Sequence, residues 1–157
     1  MKNGLKVIIA VAAVILVIVG IVAGSYNSLV TAQTAVETKQ ADIQTQLQRR
    51  ADLIPNFVST VKGYTKYEQE TLTAVTEARA KVGSANSAQS LSEADEELDK
   101  AISVWVNAVT EAYPDLKANS NYIALQDELA GTENRIAVAR KDYNEAVQSY
   151  NAMIKKF

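Results

Sequence analysis

From Val7 to Ala23 the chain reads VIIAVAAVILVIVGIVA, seventeen residues without a charge, preceded by Leu5 and by Lys2 and Lys6. As a helix this run covers about 26 Å, the short end of what crosses a bilayer core of about 30 Å. Lys6 can snorkel to the headgroups and make up part of the difference. The pattern predicts a transmembrane anchor over residues 1–24. A cleavable signal peptide is the alternative, with small residues at Val22-Ala23-Gly24, but its apolar region is usually only about 7–15 residues long. Within the run, Gly20 and Gly24 form a GxxxG pair that lets two membrane helices approach closely.

Beyond the run the apolar period changes to threes and fours. Tyr26, Leu29, Val36, Ile43, Leu47 and Ile54 mark one face of a helix, and no proline or turn cluster separates it from the membrane segment. One rod from Leu5 to about Leu53, on the order of 70 Å long, follows as a stalk. Pro55 is then expected in the first turn of a second helix capped by Asp52, carrying Val58, Val61, Leu72, Val75 and Val82 to near Gly83. The alternative is a kink in one long helix, because the sevenfold track Ile43, Arg50, Phe57, Tyr64 passes through Pro55 in phase. A turn is preferred, since shorter segments pack side by side and cover their apolar stripes.

GSANSAQS at 83–90 reads as a loop, followed by a third helix whose acidic start, SEADEELDK, suits the positive end of the helix dipole. Leu91, Leu98, Ile102, Trp105 and Val109 carry that helix to Tyr113-Pro114, where the residue before proline leaves helical geometry. A fourth helix begins at Asn119 or Ser120. No run alternates with period two, so the expected class is all-α: an N-terminal transmembrane helix, then an antiparallel four-helix bundle over 25–157 with a long stalk-like first helix.

Composition narrows the chemistry. The 16 basic and 18 acidic residues give a net charge of −2, or −4 without Lys2 and Lys6, which leaves no basic excess for nucleic acid. Cysteine and histidine are both absent. That removes disulfides, thiolate metal sites, the usual general base and the Glu-x-x-His pairs of a di-iron bundle. Serines and threonines have no activating partner, and no phosphate-cradling glycine loop exists, so neither a catalytic residue nor a cofactor or metal site is expected. The acidic run Glu93, Asp95, Glu96, Glu97, Asp99 reads as a solvated helix start fanning around its axis.

Charges also fall on the apolar seam. Counting by sevens places Glu133 and Arg140 beside the track Leu129, Ile136, Tyr143, Tyr150, with Arg50 on the seam of the first helix and Glu68 on that of the second. Buried alone, each costs several kcal/mol, so a structural polar layer of Arg50, Glu133, Arg140 and Glu68 is expected, with Glu133 bridging Arg50 or Arg140. Otherwise the long side chains lie at the bundle edge with their heads in water. The tyrosines read as core rings with hydroxyls at the rim, and Gly63 and Gly131 as points of close helix approach, accommodating Trp105.

Three stretches, QLQRRADLIPNFVSTVKGY (46–64), AYPDLKAN (112–119) and LQDELAGTENRIAVARKDYNEAVQSYN (125–151), resemble the hallmark segments of the LemA family of bacterial membrane proteins. The resemblance covers nearly all of residues 26–157 in the family's order. Arg49, Arg50, Asp52, Pro55 and Asn56, then Glu133, Asn134, Arg135, Arg140, Tyr143 and Asn144, match its strongest segments. It implies a single N-terminal membrane helix and a four-helix domain, and no established activity, although some relatives are associated with building membrane compartments. Family members usually continue past the position of Phe157 with a short aromatic tail, which is not present in this sequence.

The expected role is therefore a membrane-anchored scaffold or assembly module at the bacterial cell envelope, without catalysis, in contact with membrane lipid and forming a homo-oligomer, with another envelope protein as a further partner. The alternative is an extracytoplasmic sensor or ligand-binding domain lined by Tyr143, Tyr150, Arg140 and Glu133 and working with a partner membrane protein. Lys2 and Lys6 flank only the N-terminal side of the run, so the positive-inside rule puts the N-terminus in the cytoplasm and the domain outside the inner membrane.

Overall fold

A computed structural model describes residues 2–62 and 69–156, so Gly63 and Glu68 lie outside the described residues. The elements are α1 (Lys2–Lys62), α2 (Gln69–Ser84), α3 (Ala88–Ala112), a 3-10 turn (Pro114–Ala118) and α4 (Ser120–Ile154). No strand occurs among the described residues. The chain forms two compact units, one made of the described residues up to Thr38 and from Asn144 onward, the other of Lys39–Tyr143.

In the first unit the apolar run is helical, and its side chains are exposed on all sides, Leu16 most of all at 72%. It is long and apolar enough to cross a membrane, with a mean hydropathy of 3.2 over its richest window. Apolar residues all round a helix call for a nonaqueous surrounding. Just beyond it the hydroxyls of Ser28, Thr31, Thr34 and Thr38 each donate to the carbonyl four residues earlier, at 2.8–3.0 Å. These bonds hold the Ser/Thr side chains to the helix itself, so a Ser/Thr-rich stretch continues it without a break.

The second unit is a four-helix bundle whose antiparallel order can be read from side-chain pairs. Lys39 meets Asp142 and Arg49 meets Glu128 between α1 and α4; Gln40 reaches Asn86 and Asp52 reaches Arg79 between α1 and the α2 end of the chain. Asp95 meets Arg140, and Thr110 meets Tyr122, between α3 and α4. In each case the sequence numbers run in opposite directions, as neighbouring antiparallel helices require. Leu47, Phe57, Val75, Leu98, Val109 and Ile136 are fully buried at the centre. Phe57 packs tilted against Trp105 and Tyr122, ring centroids 4.9 and 5.2 Å apart.

Several boundaries depart from the sequence expectation. Pro55 makes no turn: it lies inside α1, which continues to Lys62, and Asp52 is a mid-helix residue on an exposed face rather than a cap. The in-phase track decides this, because Ile54, Phe57 and Val61 are all buried by the same continuing stripe while Pro55 points outward. That burial, about 1.5–3 kcal/mol for each large side chain, offsets the roughly 3 kcal/mol cost of proline in a helix interior.

The loop expected at 83–90 shrinks to residues 85–87. Ser87 caps α3 by accepting from the Ser90 amide at 3.1 Å, and the Ser90 hydroxyl accepts from the Ser87 amide at 3.0 Å, a reciprocal capping box. The acidic residues thus lie beyond the first turn, where the dipole has little hold on them. At the other end Ala112 closes α3 ahead of Pro114, and the Asn119 side chain caps α4 by accepting from the amides of Asn121 and Tyr122. Gly131 is not a helix-approach point: a Cβ there would meet only the guanidinium of Arg135, at 3.5 Å.

Candidate functional site

A charged layer crosses the bundle. Arg50 projects from α1 between Ile43/Leu47 and Ile54/Phe57, so the apolar stripe that buries those residues buries it too, and its side chain is only 5% exposed. From α3, Asp95 lies one turn after Leu91 and just before Leu98 on the same stripe, 6% exposed. Glu133 and Arg140 come from α4 and keep 48% and 40% of their side chains in water.

The guanidinium of Arg50 satisfies three carboxylates. Its Nη1 lies 3.3 Å from Asp95 Oδ1 and 2.6 Å from Glu133 Oε2, and its Nη2 contacts Asp99 Oδ1. Asp95 accepts from both sides, since its Oδ2 lies 2.7 Å from Arg140 Nη2. Glu133 thus turns to Arg50, and Arg140 to Asp95. Two guanidiniums facing three carboxylates leave the layer one negative charge in excess. Burial pushes the Asp95 carboxyl above the usual carboxylate range; Arg140 and Arg50 pull it back, while Glu133 and Asp99 push it further up.

That direction fixes a pH dependence. A carboxyl whose pKa rises on folding stabilises the fold fully below its unfolded value, and the contribution is lost as pH rises through the folded value. Asp95→Asn is therefore expected to flatten the fall of stability that wild type should show as pH rises through and above the ordinary carboxylate range. Urea denaturation of the two proteins across that range, read by the fluorescence of the single tryptophan, Trp105, checks it. A parallel pair of stability curves would show that Asp95 ionises in the fold as it does in water.

Asp95 and Asp99 correct the sequence reading of the acidic run. They converge on Arg50 rather than fanning around α3, because Leu91, Asp95, Leu98 and Ile102 share one helical face. The spacing of three and four from Leu91 was the available signal. Glu93, Glu96 and Glu97 do remain on the exposed side, where Lys100 beside Glu96 holds that carboxyl below the usual range.

The other singled-out residues form a second, more exposed set. Glu128 of α4 takes both Arg49 and Arg135, at 3.0 and 2.9 Å. Asp52 accepts from Gln48 at 3.0 Å and lies 3.6 Å from Arg79. The Asn56 carbonyl accepts the hydroxyls of Ser59 and Thr60. Tyr143 packs against the core edge, while Asn134 borders a shallow cleft with Asp42, Gln46, Arg135 and Asp142. Asn144 is exposed and belongs to the first unit. Gly20 and Gly24 also lie in the first unit, and a Cβ at either would meet nothing within 4 Å. Among the described residues no group of three or more metal-ligating side chains is placed to hold an ion.

A helical bundle with a buried arginine–carboxylate layer, preceded by an exposed apolar helix of membrane-crossing length, defines a membrane-associated all-α protein. The chain belongs to the LemA family, whose model matches residues 39–157, the span that supplies Arg50, Asp95, Asp99, Glu133 and Arg140. It is 29% identical to Protein LemA of Metamycoplasma hominis, over 85% of this chain and 61% of that protein. It is 24% identical to Magnetosome protein MamQ 2 of Paramagnetospirillum magneticum and 22% identical to Magnetosome protein MamQ of Magnetospirillum gryphiswaldense, in each case over 84% of this chain and 58% of the relative. The chain thus spans about three fifths of the length of these curated relatives.

Proposed function

We propose that the protein is a membrane-anchored helical scaffold or assembly module of the bacterial cell envelope, self-associating through its membrane helix and carrying no catalysis. The observation that carries this reading is the Gly20/Gly24 pair: the two glycines lie one turn apart on an otherwise bulky apolar helix, and a Cβ at either would meet nothing within 4 Å. Glycines so placed let a second helix approach backbone to backbone, where packing rather than water drives association. The likeness to magnetosome proteins supports a role at membranes. With Lys2 and Lys6 the only charges beside the run on its N-terminal side, the proposed placement is the inner membrane, N-terminus cytoplasmic and domain outside.

The sensor alternative draws on a cavity lined by Tyr143, Tyr150, Arg140 and Glu133. The clefts bordered by Ala78 and Lys81, by Gln46 and Arg135, by Gln48 and Asn56, and by Gly24 and Met153 contain none of these four residues. The scaffold reading is preferred on the glycine pair of the membrane helix.

Its test is the mass of the protein solubilised in mild detergent. A defined oligomer is expected, and Gly20→Leu with Gly24→Leu should shift it to smaller species by closing the approach. A monomer at all concentrations, or an oligomer indifferent to both leucines, would sink self-association through this face.

A further inference from the structure

The last turn of α4 returns to the membrane end of α1. Within the first unit, Met153 and Lys156 line one groove together with Gly20, Ile21, Gly24 and Ser28. Gly20 and Ile21 belong to the charge-free run itself, so the turn carrying Met153 to Lys156 stands level with the outermost turn of the apolar helix. Ile154 on that turn is 45% exposed, an apolar side chain with water as its neighbour in the absence of lipid.

Charge and aromatic placement at this level are those of a bilayer interface. Between residues 7 and 36 there is no acidic residue, and between 146 and 156 there is none either, whereas Lys155 and Lys156 are adjacent and both exposed. Tyr26, exposed two residues beyond Gly24, sits where tyrosines collect at membrane surfaces. Lysines on long stems beside an apolar helix end reach the headgroup layer while their methylenes stay in the acyl boundary.

We infer that the Met153–Lys156 turn is a second membrane contact, seating Ile154 at the acyl boundary and Lys155 and Lys156 among the phosphates of anionic lipid at the outer end of the anchor. The inference rests on the membrane-spanning reading of residues 1–24 and not on self-association. It is compatible with the orientation drawn from Lys2 and Lys6, because basic residues more than a hundred positions from the anchor lie outside the short flanks that the positive-inside rule counts. Its consequence is that both segments of the first unit meet the outer leaflet, the anchor by crossing it and the Met153–Lys156 turn by resting on it.

The cysteine-free chain permits a direct test on the full-length protein in phosphatidylcholine vesicles with and without added phosphatidylglycerol. Single cysteines at Val14, Ile154 and Val104 carry a polarity-sensitive fluorophore, and lipids spin-labelled near the headgroup or deep in the acyl chain serve as quenchers. The expected result is deep quenching at Val14, shallow quenching at Ile154 that strengthens with phosphatidylglycerol, and none at Val104, an exposed position on α3. Lys155→Gln and Lys156→Gln should each lower the lipid-contacted population at Ile154, relative to the free one, about fivefold. Quenching at Val14 without any at Ile154 would overturn the second contact alone. An unquenched Val14 would bring down the anchor and the contact together. Burial of Ile154 that lipid quenchers do not report, and that fades on diluting the protein in the bilayer, would place a second copy there instead and overturn the inference.

Discussion

Arg50→Met is expected to lower the stability of the bundle by about 3 kcal/mol, the low end of the cost of breaking a buried ion pair, because Asp95 loses one of its two cations while keeping Arg140. The methionine fills the space of the arginine stem, so lost packing contributes little and the deficit reports the charges. Asp95 stays buried with Arg140 as its remaining cation, facing the uncompensated Asp99 and Glu133. Glu133→Gln alone should cost only about 1 kcal/mol, because its side chain is half in water and screened. The double variant should then lose measurably less than the sum of the two single changes, since each removes the same contact. Strict additivity would exclude the 2.6 Å pair as an energetic contact.

The same substitution has a pH signature. Arg50 helps hold the Asp95 carboxyl down, so removing it raises that group further, and protonation relieves the repulsion in the layer. The Arg50→Met deficit should therefore shrink as pH falls through the carboxylate range, read by urea denaturation with Trp105 as the probe. A deficit independent of pH would trace the loss to packing around the arginine stem.

How far the layer was legible depends on which periodicity a charge sits in. Arg50, Glu133 and Arg140 stand out because each interrupts a sevenfold apolar track, and a charge on such a track must find a partner or reach water. The partner was harder to see. Asp95 lies in a dense acidic run where five carboxylates have the same sign, and only the register against Leu91, Leu98 and Ile102 separates the buried one from the four others. Tertiary pairing settles that choice, and pairing between helices is not written in local sequence. The helical class, the break at Tyr113-Pro114 and the cap at Asn119 are local events and are readable as such. The course of the chain at Pro55 is not local: the proline signals a helix start, whereas burial of Ile54, Phe57 and Val61 against the other helices favours continuation.

Pro55 and Phe57 turn that contest into a pair of opposite outcomes. Phe57→Ala should destabilise the bundle by about 3–5 kcal/mol, because the ring is fully buried and its removal opens a cavity between Trp105 and Tyr122. Pro55→Ala should do the reverse. In a helix interior alanine is favoured over proline by up to about 3 kcal/mol, since it restores an amide to the helix ladder. Loosening the unfolded chain returns about 0.4–1 kcal/mol of that gain. Were residue 55 the first turn of a new helix, proline would be preorganised for its place and the alanine variant would be the less stable protein. Denaturation midpoints that fall for Phe57→Ala and rise for Pro55→Ala fit a stripe running unbroken through α1; a fall for both would mean that the chain turns at Pro55.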